Sequence, residues 1–96
     1  MTSPFNKMTK DFCEAILTLG SVEECERFFI DAFTIKEIQE ISQRYEVARQ
    51  LREGRVYTEI AKSTGASTAT ISRVNKCLQY GDGGYELVLS RLYPKE

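Results

Sequence analysis

Two helix-start signals follow one another closely in the first half of the chain, and they restrict it to helices with defined beginnings. Ser21-Val22-Glu23-Glu24 and Thr34-Ile35-Lys36-Glu37 each have the form of a capping box, in which a hydroxyl and a carboxylate satisfy amide groups that a helix start leaves unpaired. Ahead of them, Phe5, Met8, Phe12, Ala15, Ile16 and Leu19 recur at three- and four-residue steps, which predicts a first helix that Gly20 terminates. The second helix is apolar at Val22, Cys25, Phe28, Phe29 and Ala32. A longer third helix turns Ile38, Ile41, Tyr45, Ala48 and Leu51 inward and stops at Gly54. No stretch alternates apolar and polar residues long enough for a strand, so the expected fold is all-α with six helices.

A chain of 96 residues sits at the lower end of what can bury its own core, so a single domain over 1–96 is expected to be completed by a second copy. Residues 1–53 are the candidate dimerisation helices. The apolar runs fall far short of the roughly 20 residues that span a bilayer, and the start, from Met1 to Lys7, lacks an apolar signal core. The reading is a soluble, cytoplasmic protein that meets no membrane. Its 3 cysteines, Cys13, Cys25 and Cys77, have no CxxC spacing and 0 histidines to share a metal with; they read as buried free thiols. The same lack of histidine removes the commonest general base, and no glycine-rich phosphate loop is present. No enzyme, catalytic residue, metal or cofactor is expected.

The net charge is only −1, but it is unevenly spread. Residues 1–43 hold 4 Lys/Arg against 8 Asp/Glu, residues 44–79 hold 7 against 3, and the remainder 2 against 3. A basic middle behind an acidic front is what a phosphate-facing surface on an otherwise acidic molecule requires, although a solvated helix face has the same signature.

That basic middle contains residues 57–79, which read as a helix-turn-helix. Ile60 and the small Ala61 face inward, Gly65 supplies the left-handed conformation that ends the first helix, and Ala66 packs under the turn. Ser67 is a natural N-cap for the second helix, whose buried stripe is Ile71, Val74 and Leu78. Outward at its front stand Thr68, Ala69, Ser72 and Arg73. Short side chains there let a helix sink into a major groove, where hydroxyls and a guanidinium read base edges and an alanine touches a thymine methyl. Arg52, Arg55, Thr58, Lys62 and Lys76 are the candidate phosphate contacts. The competing reading is a protein-interaction module that recruits polymerase or another regulator through the same helix pair. Beyond Gly81-Asp82-Gly83-Gly84, a flexible joint, a last helix over 85–92 is expected to pack Tyr85, Leu87, Val88 and Leu92 into the dimer.

From Phe33 to about Leu89 the chain resembles the Trp repressor superfamily, on Thr34, Gly54, Gly65-Ala66, Ala69-Thr70-Ile71 and Ser72-Arg73, and within it the regulators of uncertain effector. The resemblance implies an intertwined, all-helical homodimer that presents two reading heads to a palindromic operator in double-stranded DNA. It also implies an effector site, occupied in the family by L-tryptophan, with contacts on Thr34, Arg44, Thr70 and Arg73. An i,i+4 surface pair with Glu40 is the competing role for Arg44. Two positions depart from the family pattern: Val74 replaces a glycine beneath the ligand, and Cys77 replaces a serine near its amino group. A valine adds bulk where the ring lies and a thiol is a weak hydrogen-bond partner, so both count against tryptophan. The segment between Gly54 and Gly65 is also one residue shorter than in the family.

Overall fold

Six helices form where the caps and apolar stripes place them: α1 (Lys7–Ile16), α2 (Val22–Ala32), α3 (Ile35–Arg52), α4 (Tyr57–Thr64), α5 (Thr68–Tyr80) and α6 (Gly84–Leu92). The computed structural model describes residues 3–95, and no strand occurs among them. Met1 and Thr2 of the polar start and Glu96 at the end of the expected 1–96 domain lie outside the described residues. The chain divides into two compact units, Met1–Ile38 and Gln39–Glu96, the boundary falling within α3.

In the first unit, α1 starts on a capping box that the sequence reading missed. Asn6 accepts from the Thr9 amide at 3.0 Å, and the Thr9 hydroxyl accepts from the Asn6 amide at 2.8 Å. The helix also ends before Gly20, because the Thr18 and Leu19 amides turn back to the carbonyls of Ala15 and Ile16, each at 3.1 Å, and tighten the last turn. Ser21 caps α2 as expected, accepting from the Glu24 amide at 3.1 Å, whereas the Glu24 carboxylate reaches one residue further back, to the Gly20 amide at 2.8 Å. Phe12, Phe28, Phe29 and Phe33 pack ring against ring, with Phe29 and Phe33 edge to face at 5.3 Å. Even so, neither α1 nor α2 holds a fully buried residue. Met8, Leu17 and Val22 are 76%, 82% and 70% exposed.

Thr34 opens α3 with both bonds of its box, its amide donating to Glu37 at 2.8 Å and its hydroxyl accepting from the Glu37 amide at 3.1 Å. The Thr34 amide, and after it the Thr34 hydroxyl, hold the Glu37 carboxyl below its ordinary range. At the other end, the Gly54 amide donates to Leu51 and the Arg55 amide to Gln50, the pair of bonds of a Schellman motif.

The second unit carries the core: Val47 and Ala48 from α3, Ile60 from α4, Ala66 from the turn, Ile71 and Val74 from α5, and Leu89 from α6. Ala48, Ile60, Ala66, Ile71 and Val74 are as expected, while Ile41 is 49% exposed and Val47 takes the inward place beside Ala48. Gln50 is buried beneath them, its amide donating to Glu46 at 3.0 Å and its carbonyl accepting from the Ser63 hydroxyl at 2.9 Å, so no polar group is stranded.

Arg49 grips Glu46 with two bonds, at 2.8 and 2.6 Å, and pairs with Glu53 as well. The bonds from Arg49, then the one from Gln50, hold the Glu46 carboxyl down at about 2 from an ordinary 4.5. A carboxyl depressed on folding stabilises the native state above its unfolded value, and that contribution is lost as pH falls through the folded one. Glu46→Gln is therefore expected to flatten the acid limb of the stability profile between pH 4.5 and 2; denaturant titrations of both proteins across that window check it, and parallel profiles would refute it.

Candidate nucleic-acid interface

The end of α4 and the start of α5 are built from four local interactions. Gly65 closes α4 at φ +75° with its amide on the Ala61 carbonyl, a conformation that costs a residue with a side chain about 1–2 kcal/mol. Thr64 donates its hydroxyl to the Ile60 carbonyl at 2.7 Å and accepts from the Ala66 amide at 3.1 Å. Ala66 is buried beneath the turn. Ser67 caps α5 by accepting from the Thr70 amide at 3.1 Å, and its hydroxyl also donates to the Thr70 hydroxyl.

The resulting α5 buries Ile71 and Val74 and leaves Thr68, Ala69, Ser72 and Arg73 exposed on the other side. No acidic residue occupies its first turn, so the positive end of the helix dipole is not neutralised there. Thr58, Lys62 and Lys76 are exposed, and Arg55 is exposed with only a loose 3.8 Å approach to Glu53.

Arg52 is different. Its side chain is 9% exposed. Nε and Nη2 donate to the two carboxylate oxygens of Glu86, at 2.8 and 3.2 Å, and Nη1 donates to the Tyr93 carbonyl at 2.9 Å. This corrects the reading of Arg52 as a phosphate contact: its donors clamp both ends of α6 onto α3, and they hold the Glu86 carboxyl below its usual range. Arg52→Ala is expected to lower the thermal midpoint by about 5 °C, more than Glu86→Gln, which leaves the bond to Tyr93 in place. Equal effects would confine the clamp to the ion pair.

Between α3, α5 and α6 lies a cleft of about 410 Å³. Its wall brings together three of the four expected effector contacts, Arg44, Thr70 and Arg73, with Glu40, Gln43 and Tyr85 beside them. Thr34 belongs to the other unit, where its hydroxyl serves the α3 cap. Among the described residues Arg44 and Arg73 form no ion pair, so the competing pair of Arg44 with Glu40 does not form. The cysteines are free, but Cys13 and Cys77 are exposed and Cys25 is half-buried, which corrects the reading of all three as core thiols. α5 ends at Gly81, whose amide donates to the Cys77 carbonyl at 2.9 Å. A Cβ on Gly81 would lie 2.4 Å from that oxygen, so no side chain fits.

The family model described as Trp repressor protein matches residues 7–93. The chain belongs to the Trp repressor family. The protein YerC of Bacillus subtilis is 57% identical over 82 residues, 85% of this chain and 79% of YerC. A TrpR like protein from Eubacterium eligens shares the fold with a TM-score of 0.90 at 50% identity, over 95% of this chain and 94% of that one. A candidate Trp repressor from Staphylococcus aureus does so with a TM-score of 0.90 at 43% identity, over 95% and 91%. In this Trp repressor family member the two departures from the family pattern, Val74 and Cys77, both line the cleft. Val74 turns into the core, with 2% of its surface exposed. No helix among the described residues is long and apolar enough to cross a membrane.

Proposed function

We propose that this protein is a homodimeric, sequence-specific DNA-binding transcription regulator of the cytoplasm, acting as a repressor and tuned by a small-molecule effector. The observation that carries the reading is the exposed front of α5, where Thr68, Ala69, Ser72 and Arg73 stand on a helix fixed from behind by Ile71 and Val74. These four would read base edges in the major groove, with Arg55, Thr58, Lys62 and Lys76 on phosphates. Dimerisation through residues 1–53 and the last helix is supported by what the single chain leaves uncovered. α1 and α2 bury nothing completely, and Leu87, Val88 and Leu92 of α6 are 51%, 46% and 60% exposed. A regulator with two reading heads requires a palindromic operator. The cleft supports an effector site on Arg44, Thr70 and Arg73, and Val74 and Cys77, standing where the family has a glycine and a serine, weigh against L-tryptophan as its ligand.

Selection from a random duplex library at moderate salt, with and without L-tryptophan, tests this. An enriched palindrome in both conditions is the expected result. Enrichment only with tryptophan would overturn the effector assignment. No selectivity over polyanion competitor in either condition, with a stable protein partner in its place, would favour a protein-recruiting module.

A further inference from the structure

One polar side chain joins the cleft to the turn of the helix-turn-helix. Gln43 stands on α3 in the cleft wall beside Arg44, and its side-chain amide donates to the Thr64 carbonyl at 3.1 Å. Thr64 is the last residue of α4, and a helix leaves its final carbonyls without partners inside the helix. The bond meets that need from a residue 21 positions away in sequence. The next residue is Gly65, where a Cβ would come within 3.9 Å of the same Gln43 nitrogen, so the amide lies against the backbone of the turn itself. From the opposite side Thr64 is tied down by its own hydroxyl, bonded to Ile60 and Ala66. A second polar tie from α3 to α4, Gln50 to Ser63, holds the helix one residue earlier and does not reach the turn.

We infer that Gln43 is a positioning residue for the reading unit: its carboxamide fixes the turn between α4 and α5 to α3, and thereby the angle at which the front of α5 is presented. The inference rests on the DNA-reading proposal for its consequence and on the bond to Thr64 for its cause, and the two can be tested apart. Apolar packing seats α4 and α5 on the core from behind, and the directional bond from Gln43 adds a fixed point at the turn itself. An α5 held loosely still meets phosphates but discriminates less well, because phosphate contacts carry no sequence information and the base edges are read only by side chains aimed at them.

The experiment compares the wild type with Gln43→Leu, which keeps volume and loses the donor, and Gln43→Glu, which keeps shape and places a carboxylate against the Thr64 carbonyl. Amide hydrogen exchange of the free protein is read first. Exchange is expected to rise at Gly65 and Ala66 in both variants while the amides of Ile60 and Ile71 keep their protection. Affinity for the selected duplex relative to a scrambled one is read second, with a loss of about 5- to 10-fold in that ratio expected and an unchanged salt slope. Unaltered exchange at the turn, a uniform rise across the unit, or equal loss on both duplexes would each overturn the inference. If the wild type selects no duplex, the DNA reading fails, and the exchange result alone decides whether Gln43 positions the turn.

Discussion

Replacing Ile71 by alanine is expected to remove about 2–5 kcal/mol of unfolding free energy, the usual cost of emptying a fully buried aliphatic site. Ile71 has 0% of its surface exposed, and the buried apolar core of the described chain holds only Val47, Ala48, Ile60, Ala66, Val74 and Leu89 beside it. In so small a core few neighbours can move in to fill the space, and a domain of this size has only ~5–15 kcal/mol in total. The consequence reaches α5 first, because Ile71 and Val74 are its only fully inward side chains. Urea titration at matched protein concentration checks it, concentration being held because dimerisation stabilises by mass action. Ser72→Ala on the same helix, exposed on the opposite side, is the control and is expected to stay within about 0.5 kcal/mol. A loss under ~1 kcal/mol for Ile71→Ala would mean that the unit is not held by this core.

The features legible in the sequence are those whose partners lie within one helical turn. Ser21, Thr34 and Ser67 each meet an amide three residues on, and a glycine in the left-handed region ends α4; local chemistry alone places such groups. The misread features depend on distant partners. Arg52 has the same appearance in sequence as Arg55, yet Glu86 and Tyr93, which lie 34 and 41 residues away, take it out of solvent. Leu89, by contrast, was legible: Tyr85, Val88, Leu89 and Leu92 recur at three- and four-residue steps on one face of α6, opposite Glu86 and Ser90, and Leu87, placed inward in its stead, is 51% exposed. Gln43 and Tyr85 carried no signal as cleft residues, since the cleft exists only where α3, α5 and α6 converge. Asn6 with Thr9 was passed over because its form departs from the Ser/Thr-to-Glu pattern. The exposed cysteines show the limit of a compositional prior, which describes a residue type and not a position.

Arg73→Glu is expected to weaken binding to the selected duplex by at least ~100-fold while leaving the thermal midpoint unchanged. Arg73 is exposed and forms no ion pair or hydrogen bond among the described residues, so its replacement removes nothing that holds the fold. A well-placed arginine contact to a base is worth about 1–3 kcal/mol of discrimination, and a carboxylate in its place adds repulsion from the flanking phosphates. Arg73 carries two assignments, however, since it also lines the cleft, and Arg73→Ala separates them. A base reader loses discrimination between the selected and scrambled duplexes with little change in salt slope. A phosphate contact weakens both duplexes alike and lowers the slope by about one. A residue serving the cleft alone leaves ligand-free DNA binding untouched and alters only the response to effector. Equilibrium titrations of both duplexes at several salt concentrations distinguish the three, and the last outcome would move base reading to Thr68, Ala69 and Ser72.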